Sequence, residues 1–364
     1  MAVLAAGVVF AVILTVRGCS SRSAGAAATE ETTVEEVTEE PTVTPAGLTA
    51  SQLKEAGVNE LNSVPIMMYH RIINALDEET GYTGGNADEW GLSRTSESLA
   101  RDLANYYEWG YRCIRLADFV DGNIDTEFGY SPIILTFDDG SDQISLEGFD
   151  EEGNPIFAEG CALAILEEFK AEHPDFHLTA TFFLYGELFH HDTETDYKLL
   201  KWLIDNGYDI GNHTRDHWEL PDCSEEEIEE EIGYMYNLFE EVIPGRYVNI
   251  VALPDGLPAD VSEDSKYDKI FSGTYNDMEY TTSAALLGSW MYSDSCFADS
   301  LDTTAIRRIR AYDNNGEEYD IDINFNLLNN GIRYVSDGDP STIVYPKINA
   351  AMLGDTHGKT AIGY

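Results

Sequence analysis

Short apolar runs alternate along the chain with stretches in which apolar residues have helical spacing. The apolar runs have the length of buried strands, and polar loops follow them. Five runs stand out: LNSVPIMMYHRII (61–73), SPIILTFDDG (131–140), LTATFFLYGE (178–187), YDIGNHT (208–214) and YVNIVALPDG (247–256). Nearly continuous apolar strands that alternate with helices indicate a parallel sheet covered by helices on both sides. The pattern therefore predicts an α/β fold.

Four helices are predicted from the same pattern. The first spans 96–109, with Ser96 as its N-cap and Gly110 at its end. The others span 162–170, 197–206 and 224–241, the last with Ser224 as its N-cap. Beyond residue 288 the pattern weakens, and turn sequences occur at 314–316 and 329–331. We expect strands and loops in that C-terminal part, packed on the main domain.

The first part of the chain differs from the rest. Residues 1–19 contain an apolar run that is short for crossing about 30 Å of hydrocarbon, so they are a secretion signal or a membrane anchor. Cys19 follows a glycine, as in a bacterial lipoprotein junction. Residues 20–47 are rich in Ala, Thr, Glu and Pro and predict a disordered acidic tether. We assign 48–346 to one folded domain and 347–364 to a C-terminal tail.

Charge and cysteine content exclude several classes of function. The chain has 364 residues, of which 21 are Lys or Arg and 67 are Asp or Glu, giving a net charge of -46. Such a surface repels phosphate backbones, so a nucleic-acid partner is excluded. The five cysteines form no C-x-x-C pair, which argues against a zinc ribbon or a thioredoxin-type site. Nothing in the sequence indicates the oligomeric state.

Polar side chains cluster where the predicted strands end. Asp138 and Asp139 follow one strand, and His213 and His217 follow another. Ligands bind at the carboxyl ends of strands in parallel α/β folds. Two imidazoles with the spacing H-x-x-x-H and one carboxylate provide three ligands for a cation and leave positions open, which is the catalytic pattern. The sequence therefore predicts a metal centre at this edge of the sheet.

The same residues lie in motifs of a known family. LTFDDG (135–140), ATFFLYGE (180–187) and IGNHTRDH (210–217), in this order, resemble the polysaccharide deacetylase family, the family 4 carbohydrate esterases. The resemblance covers about 62–258. It implies a distorted (β/α) barrel with fewer strand–helix units than the eight-fold form, here over 48–346 with extra C-terminal strands and loops.

The resemblance also implies roles for the candidate residues. Asp138 is expected to be the catalytic base. Asp139, His213 and His217 are expected to hold a divalent metal, zinc first, with cobalt and nickel as alternatives. Thr214 is expected to hydrogen-bond locally and to hold the loop between the two histidines.

Two family motifs are altered in this chain. The third motif, R-x-P-[YF]-G, is ALPDG (252–256) here and lacks the arginine that pairs with the base. Arg308 is a candidate replacement, but a surface cluster of basic residues is the interpretation that its neighbourhood favours. The C-terminal L-x-H motif with the general acid is missing. The only later histidine, His357, is expected to be exposed.

The run VPIMMYHRI (64–72) offers another source for the acid. A similar stretch occurs early in the circularly permuted subgroup that deacetylates poly-β-1,6-N-acetylglucosamine, where the strand bearing the acid comes first. His70 would then lie across the site from Asp138. A core histidine is the alternative, and the otherwise missing acid favours the catalytic role.

These features predict metal-dependent hydrolysis of acetamide groups on an N-acetylated cell-surface or extracellular polysaccharide, an N-acetylglucosamine polymer or peptidoglycan, with release of acetate. The expected location is the outer face of a bacterial membrane or the extracellular space, with membrane contact only through the N-terminal anchor. Oxyanion stabilisation and substrate binding are expected from the backbone of Pro254, Asp255 and Gly256. Stacking on sugar rings is expected from Trp218, Tyr82, Trp90 and Trp290.

Three alternatives stay open at this point. A degenerate barrel that binds glycan without turnover is motivated by the missing arginine. An O-deacetylase acting on acetylated xylan would use the same metal site. A purely structural wall protein predicts no stoichiometric metal.

Overall fold

The computed structural model describes residues 47–73, 92–140, 143–313 and 320–364. These residues belong to one unit of the chain, Pro41–Tyr364. Outside the described residues lie the predicted anchor, the tether up to residue 46, Tyr82, Trp90 and the turn at 314–316. Among the helices that the described residues form, none has the length and apolar character needed to cross a membrane.

Sixteen strands and eight α-helices form within the described part of the chain. The strands are β1 (Ile66–Tyr69), β2 (Arg71–Ile73), β3 (Ser93–Thr95), β4 (Tyr111–Cys113), β5 (Ser131–Asp138), β6 (Leu146–Phe149), β7 (Pro155–Phe157), β8 (Thr181–Leu184), β9 (Asp209–Asn212), β10 (Ile250–Ala252), β11 (Ser272–Tyr275), β12 (Met278–Thr281), β13 (Ala284–Leu286), β14 (Ile309–Arg310), β15 (Thr342–Tyr345) and β16 (Thr360–Gly363). The helices are α1 (Ala50–Ala56), α2 (Ser96–Glu108), α3 (Leu116–Val120), α4 (Ala162–Glu172), α5 (Thr193–Asp205), α6 (Glu225–Val242), α7 (Asp268–Phe271) and α8 (Ile321–Leu327).

The main sheet is parallel in all its pairs. Its strand order is β13-β10-β9-β8-β5-β1-β14, and β4 pairs with the first half of β5. The five predicted apolar runs contain β1, β5, β8, β9 and β10, and helices α4, α5 and α6 connect β5 to β10. The predicted α/β fold, a distorted (β/α) barrel, is confirmed.

The segment that leads into β14 links the two edges of this sheet. Ile306 forms a parallel bridge with Leu286 of β13, and its N–H donates to the carbonyl of Ala285 at 2.9 Å. Shortly afterwards Ile309 pairs with Met67 of β1. This barrel-closing segment, 306–310, therefore contacts β13 at one end of the sheet order and forms β14 at the other.

Strand periodicity decides which side chains of β5 point into the barrel. Ile134 belongs to a buried cluster that also contains Phe183 of β8 and Ile306. Successive side chains of a strand point to opposite faces, so Thr136 and Asp138 share the face of Ile134. Asp138 therefore points inward at the carboxyl end of β5.

The helices begin close to their predicted positions. The N-cap of α2 is Thr95 and not Ser96, because the Thr95 side chain accepts a hydrogen bond from the N–H of Ser98 at 3.1 Å. Helix α5 begins about one turn before its predicted start. At α6 the predicted N-cap is confirmed, and Ser224 forms a capping box with Glu227.

The C-terminal part contains the predicted strands, β14, β15 and β16, and also an unpredicted helix. It contains α8, which continues into a π-helical turn, Leu328–Ile332, over the predicted turn at 329–331. The buried ring of Phe325 packs there on Tyr106 of α2, with ring centroids 4.9 Å apart. This tertiary packing overrides the modest helix propensity of the asparagines in the segment.

The predicted tail at 347–364 is also structured. It contains a 3-10 helix, Lys347–Met352, and β16, which pairs in parallel with β15. The hydroxyl of Tyr364 donates to the carbonyl of Val58 at 2.7 Å. The segment 347–364 therefore packs as part of the same unit of the chain, Pro41–Tyr364.

A buried carboxylate fastens this C-terminal part to the residues that lead into β1. Glu60 is 2% exposed and accepts hydrogen bonds from the Tyr334 hydroxyl at 2.9 Å, the Val344 N–H at 2.6 Å and the Asp337 N–H at 3.3 Å. Burial, together with the charge of Asp337, raises the pKa of Glu60 to about 8. The two ends of the domain thus meet at one titratable group.

Candidate active site

Asp139, His213 and His217 converge at the carboxyl ends of β5 and β9. Nε2 of His213 lies 3.2 Å from Oδ1 of Asp139, and Nε2 of His217 lies 3.5 Å from the same oxygen. One ligand atom from each of the three residues lies within 4.8 Å of the other two. The structure therefore brings the predicted trio together as one cluster, the Asp–His–His cluster.

The backbone around this cluster is strained. Asp139, Thr214 and His217 have φ angles of 76°, 67° and 55°, and left-handed backbone costs a residue with a side chain roughly 1–2 kcal/mol. The turn between the histidines is held by the N–H of Thr214, which donates to Oδ1 of Asn212 at 2.8 Å. Thr214 thus forms the expected local hydrogen bond, through its backbone N–H.

A second hydrogen bond orients His213. Its Nδ1 lies 2.8 Å from the carbonyl oxygen of Ala252. Because a carbonyl only accepts, Nδ1 carries the proton and Nε2 faces Asp139. Burial lowers the pKa of His213, but the hydrogen bond that its protonated ring donates to Asp139 and the charge of Asp138 outweigh burial and leave the pKa raised.

Asp139 stays ionised because the effect of His213 on its pKa outweighs the effect of burial. Burial raises its pKa, but the hydrogen bond and the charge of His213 more than offset this, and the pKa lies below its usual value. The side chain of Asp139 is 28% exposed, so the cluster reaches solvent. The cluster is therefore open to solvent on the side of the negatively charged Asp139 carboxylate.

These three groups fit a divalent cation. Two imidazoles and one carboxylate form a donor set typical of catalytic zinc, which keeps a position for water or substrate. The hydrogen bond from His213 to the Ala252 carbonyl is the kind of outer contact that fixes the tautomer of a ligating histidine. The residues present match the predicted metal centre in number, type and convergence.

Asp138 is paired with Arg308. The Nη1 and Nη2 groups of Arg308 donate to Oδ1 and Oδ2 of Asp138 at 2.8 and 2.6 Å, and each residue is 1% exposed. The surface interpretation of Arg308 is therefore wrong, because its side chain points into the barrel. Burial raises the pKa of Asp138, but the charges of Arg308 and His213 outweigh burial and keep the pKa lowered.

Arg308 is itself fixed by several groups. Its Nε donates to the carbonyl of Leu287 at 3.1 Å, and Nη1 also donates to the Thr136 hydroxyl at 3.1 Å. The Ser289 hydroxyl bonds both to the N–H and to the carbonyl of Arg308, at 2.8 and 2.7 Å. The guanidinium is thus positioned by residues that follow β13 and by β5.

His70 follows β1 directly and lies beside Asp138. Its Nε2 is 3.9 Å from Oδ2 of Asp138, and its side chain is 9% exposed. Nδ1 is buried and has no hydrogen-bond partner in the described part of the chain. Burial lowers the pKa of His70, and the charges of Asp138 and Asp139 oppose this only in part. The imidazole is therefore neutral at neutral pH in this structure.

The loop Pro254–Gly256 is pressed against a second loop. A Cβ on Gly256 would lie 2.4 Å from the backbone nitrogen of Gly288, so the two backbones touch directly. The N–H of Gly256 donates to the carbonyl of Leu253 at 2.9 Å, and Pro254 has no N–H. Of the three residues predicted to bind the oxyanion, Asp255 is therefore the one whose backbone N–H can donate to a substrate. It is exposed and has a φ of 52°.

Two residues beside the site were not anticipated. The amide nitrogen of the buried Gln143 donates to the backbone carbonyl of Asp138. The ring of Tyr185 packs edge-on against His217, with ring centroids 6.1 Å apart. The position of Tyr185 in the sequence could have identified it, since Tyr185 follows β8 directly, as the other site residues follow their strands.

The predicted aromatic residues differ in their surroundings. Trp218 is 47% exposed and follows His217. The half-buried ring of Trp290 packs against Tyr312 at 5.4 Å, and the guanidinium of Arg310 lies 4.4 Å from its centroid. Stacking of Trp218 and Trp290 on sugar rings stays a prediction. His357 is exposed, as expected.

The part of the chain that contains these site residues also matches a known protein family. The sequence model described as polysaccharide deacetylase matches residues 126–268, a range that contains Asp138, Asp139, His213 and His217. Over residues 126–268 the chain matches the polysaccharide deacetylase family. This polysaccharide deacetylase is a hydrolytic enzyme that acts on a glycan, and the Asp–His–His cluster is its candidate metal site.

Three solved structures are similar to this polysaccharide deacetylase. The Streptococcus pyogenes deacetylase PplD in complex with acetate is 15% identical, with a TM-score of 0.48 over 69% of this chain and 93% of the other. A de-N-acetylase from Aggregatibacter actinomycetemcomitans is 11% identical, with a TM-score of 0.42 over 68% and 95% of the two chains. A family 4 carbohydrate esterase from Bacillus anthracis is 20% identical, with a TM-score of 0.30 over 65% and 88%. No functionally curated protein sequence matches the chain.

Proposed function

We propose that this polysaccharide deacetylase hydrolyses acetamide groups of an N-acetylated cell-surface or extracellular polysaccharide, an N-acetylglucosamine polymer or peptidoglycan, and releases acetate. The observation that carries the proposal is the buried pair of Asp138 and Arg308 directly beside the Asp–His–His cluster. An ionised carboxylate next to a candidate cation site is the arrangement that activates a water for attack on an acyl carbon.

Asp139, His213 and His217 hold a divalent metal in this proposal, zinc first, with cobalt and nickel as alternatives. When bound, such a cation lowers the pKa of a water from about 15.7 toward 7 and polarises the acetyl carbonyl. The open side of the cluster at Asp139 leaves room for the water and for the acetyl group.

Asp138 is the general base. It accepts a proton from the attacking water while the water oxygen forms a bond to the acetyl carbon. Arg308 supports this role in two ways, since it keeps the carboxylate ionised and fixes both of its oxygens. The backbone N–H of the exposed Asp255 is the expected donor to the developing oxyanion.

His70 is the general acid. When the C–N bond breaks, the sugar nitrogen needs a proton to leave as an amine. The lowered pKa of His70 implies that its imidazole is neutral before attack. The 3.9 Å between His70 and Asp138 gives the proton taken from water a short path to His70 and on to the amine. One water is consumed, and acetate and a glucosamine unit are formed.

The proposed location is the outer face of a bacterial membrane or the extracellular space, with residues 1–19 as signal or anchor. The amine product is cationic at neutral pH, and a net charge of -46 favours a cationic polymer near the protein. Retention of this kind suits an enzyme that works along a wall or matrix.

The test is acetate release from N-acetylglucosamine oligomers in the presence of Zn²⁺, Co²⁺ or Ni²⁺, with acetylated xylan as the competing substrate. Asp138→Asn should keep the metal and slow the reaction by roughly a hundredfold or more. The surface variant Asp150→Asn is the matched control and should react at the wild-type rate.

Each alternative has its own result in this assay. Glycan binding without acetate release in any metal would favour a non-catalytic barrel. Preferential release from xylan would favour an O-deacetylase. Absence of stoichiometric metal would favour a structural wall protein, and normal turnover by Asp138→Asn would remove that residue from the mechanism.

A further inference from the structure

His70 has no hydrogen bond of its own that fixes its ring. Its Nδ1 is buried without a partner among the residues that the structure describes, and its Nε2 lies 3.9 Å from Oδ2 of Asp138, beyond hydrogen-bond distance. His213 differs, because its Nδ1 is held 2.8 Å from the carbonyl oxygen of Ala252. The place of the His70 ring therefore depends on the backbone that carries it.

The residue before His70 faces the opposite side of the sheet. Tyr69 ends β1, is 1% exposed and belongs to the buried cluster that also contains side chains of α2, α4 and α5. Its ring stacks on Phe137, its partner in β5, with centroids 5.1 Å apart. Because side chains alternate along a strand, this aromatic pair lies on the outer face of the sheet, directly before His70 and Asp138 in the two chains.

The hydroxyl of Tyr69 is bonded to helix α2. It donates to Oδ2 of Asp102 at 3.1 Å and lies 2.9 Å from the Tyr106 hydroxyl. Because a carboxylate only accepts, the Tyr69 hydrogen goes to Asp102, and the Tyr106 hydroxyl donates to the Tyr69 oxygen. Asp102 and Tyr106 are four residues apart and lie on one face of α2. A phenylalanine at position 69 would keep the ring packing and lose this connection.

The same carboxylate is bonded to the strand that pairs with the residues after His70. Nε and Nη2 of Arg94 donate to Oδ2 and Oδ1 of Asp102 at 2.7 and 2.6 Å. Arg94 lies in β3 opposite Ile72 of β2, and β2 begins directly after His70. Asp102 is therefore connected to the chain on both sides of His70, through Tyr69 on one side and through β3 on the other.

These four residues form one buried group, the Asp102 network, consisting of Tyr69, Arg94, Asp102 and Tyr106. Each is between 1% and 4% exposed. Apolar residues of similar volume often stabilise a core as well as a buried ion pair does. Stability alone therefore does not account for the network, whereas its connection to both sides of His70 gives it a role in the site.

We infer that the Asp102 network positions His70 for proton delivery, with Tyr69 as the positioning residue that joins the two. This inference rests on the proposed function, because it takes His70 as the general acid. The Tyr69 hydroxyl lies on the outer face of the sheet, so Tyr69 acts on the reaction only through His70. A displacement of about 1 Å can cost roughly 10²-fold in rate. Loss of the hydroxyl should slow the step in which the leaving group takes up a proton.

The experiment compares leaving groups on the full-length, zinc-loaded protein. N-acetylglucosamine oligomers release an amine that needs a proton, whereas 4-nitrophenyl acetate releases a phenolate that needs none. Tyr69→Phe should lower kcat for the oligomers by about tenfold, with kcat for the ester and the zinc content at wild-type levels. In a His70→Ala background, Tyr69→Phe should cause no further loss, because the two residues act as one unit.

Tyr208→Phe is the matched control. Tyr208 is 1% exposed, its hydroxyl donates to Oε1 of Glu167 at 2.6 Å, and its ring packs edge-on against Phe182. The variant loses a buried phenol–carboxylate hydrogen bond of the same kind, from a tyrosine that does not adjoin His70. It should keep the wild-type kcat on both substrates. Tyr106→Phe removes the outer bond of the network and should cause a smaller loss than Tyr69→Phe, on the oligomers alone.

Three results would overturn the inference: wild-type kcat on the oligomers in Tyr69→Phe, equal losses on both substrates, or the same loss with and without His70. If the wild-type protein releases no acetate from any oligomer, the proposed function fails separately. The positioning is then measured on acetate esters of graded leaving-group basicity. A loss in Tyr69→Phe that grows with this basicity would support the inference, and a uniform loss or none would overturn it.

Discussion

Two halves of the site are built in different ways. The metal half, Asp139, His213 and His217, lies on loops that follow β5 and β9, inside the range matched by the family model. The proton-transfer half consists of Asp138 with two partners from the ends of the domain. His70 follows the first strand of the barrel, and Arg308 lies in the barrel-closing segment, 170 residues beyond Asp138 in the chain.

This difference shows how a parallel sheet brings residues that are far apart in the sequence into one site. In the strand order, β1 lies between β5 and β14. His70 and Arg308 are therefore neighbours of Asp138 in space because their strands are neighbours in the sheet. The metal half depends on local turns, and the proton-transfer half depends on closure of the barrel.

The largest effect should come from breaking the metal half. Asp139→Ala removes the oxygen that both histidines face, and it should abolish metal retention and acetate release together. Metal analysis after dialysis and the acetate assay measure the two losses. Asp205→Ala, an exposed carboxylate paired with Arg246, is the control and should retain both. Full zinc content in Asp139→Ala would contradict the assignment of the cluster.

The next effect should come from the N-terminal partner of the proton-transfer half. His70→Ala removes the proposed acid and should lower kcat by roughly 10²–10⁴-fold, while the zinc content stays at the wild-type level. This separation of rate from metal content distinguishes the two halves. His177→Ala, a surface histidine bonded to Glu127, is the matched control. A near-wild-type rate would remove His70 from the mechanism.

A smaller effect is expected from the C-terminal partner. Arg308→Lys keeps the charge but loses the fork that binds both carboxylate oxygens, and we expect about a tenfold loss of kcat. Arg308 acts on the reaction through Asp138, so the diagnostic readout is the pH profile. A weaker partner lets burial raise the pKa of Asp138, and the acid limb of the kcat/KM profile should move to higher pH.

Arg307→Lys provides the control for that variant. Arg307 is the neighbouring residue, partly exposed and bonded to Asp294. It should leave both the rate and the pH profile unchanged. An unshifted acid limb in Arg308→Lys would mean that Arg308 has only a structural role.

The last effect should appear in stability and not in rate. Glu60 has an ordinary pKa of 4.5 and a folded pKa of about 8. Between these values the folded state holds a proton that the unfolded state has released, so the free energy of unfolding should fall as pH rises from 4.5 to 8. Glu60→Gln should flatten this slope in urea unfolding at pH 5 to 8.5. Glu55→Gln, on the exposed side of α1, should keep the wild-type slope.

The two halves also differ in how far the sequence alone reveals them. Asp139, His213 and His217 each follow an apolar run, and strand ends in a parallel sheet meet at one edge, so their convergence was predictable. Arg308 was not, because a buried guanidinium is stable only with a partner, and that partner is remote in the chain. Its own neighbours in IRRIR indicate a basic surface.

The remaining errors have similar causes. Thr95 and Ser96 are adjacent hydroxyl residues, and only geometry decides which one caps α2. The hydrophobic pattern around helix α8 alternates as in a strand. A helix forms there because Phe325 packs on Tyr106 of α2. The 347–364 segment has a glycine-rich composition, but β15 provides a strand for β16 to pair with.

The barrel-closing segment makes the pairing of Asp138 depend on completion of the fold. Arg308 reaches Asp138 only when this segment has joined β13 to β1, far beyond Asp138 in the chain. A nascent or truncated protein would have its cation ligands in place, yet its base would lack the charge that holds it ionised. On the proposed mechanism, a chain without this segment should therefore hold the cation and yet hydrolyse its substrate slowly.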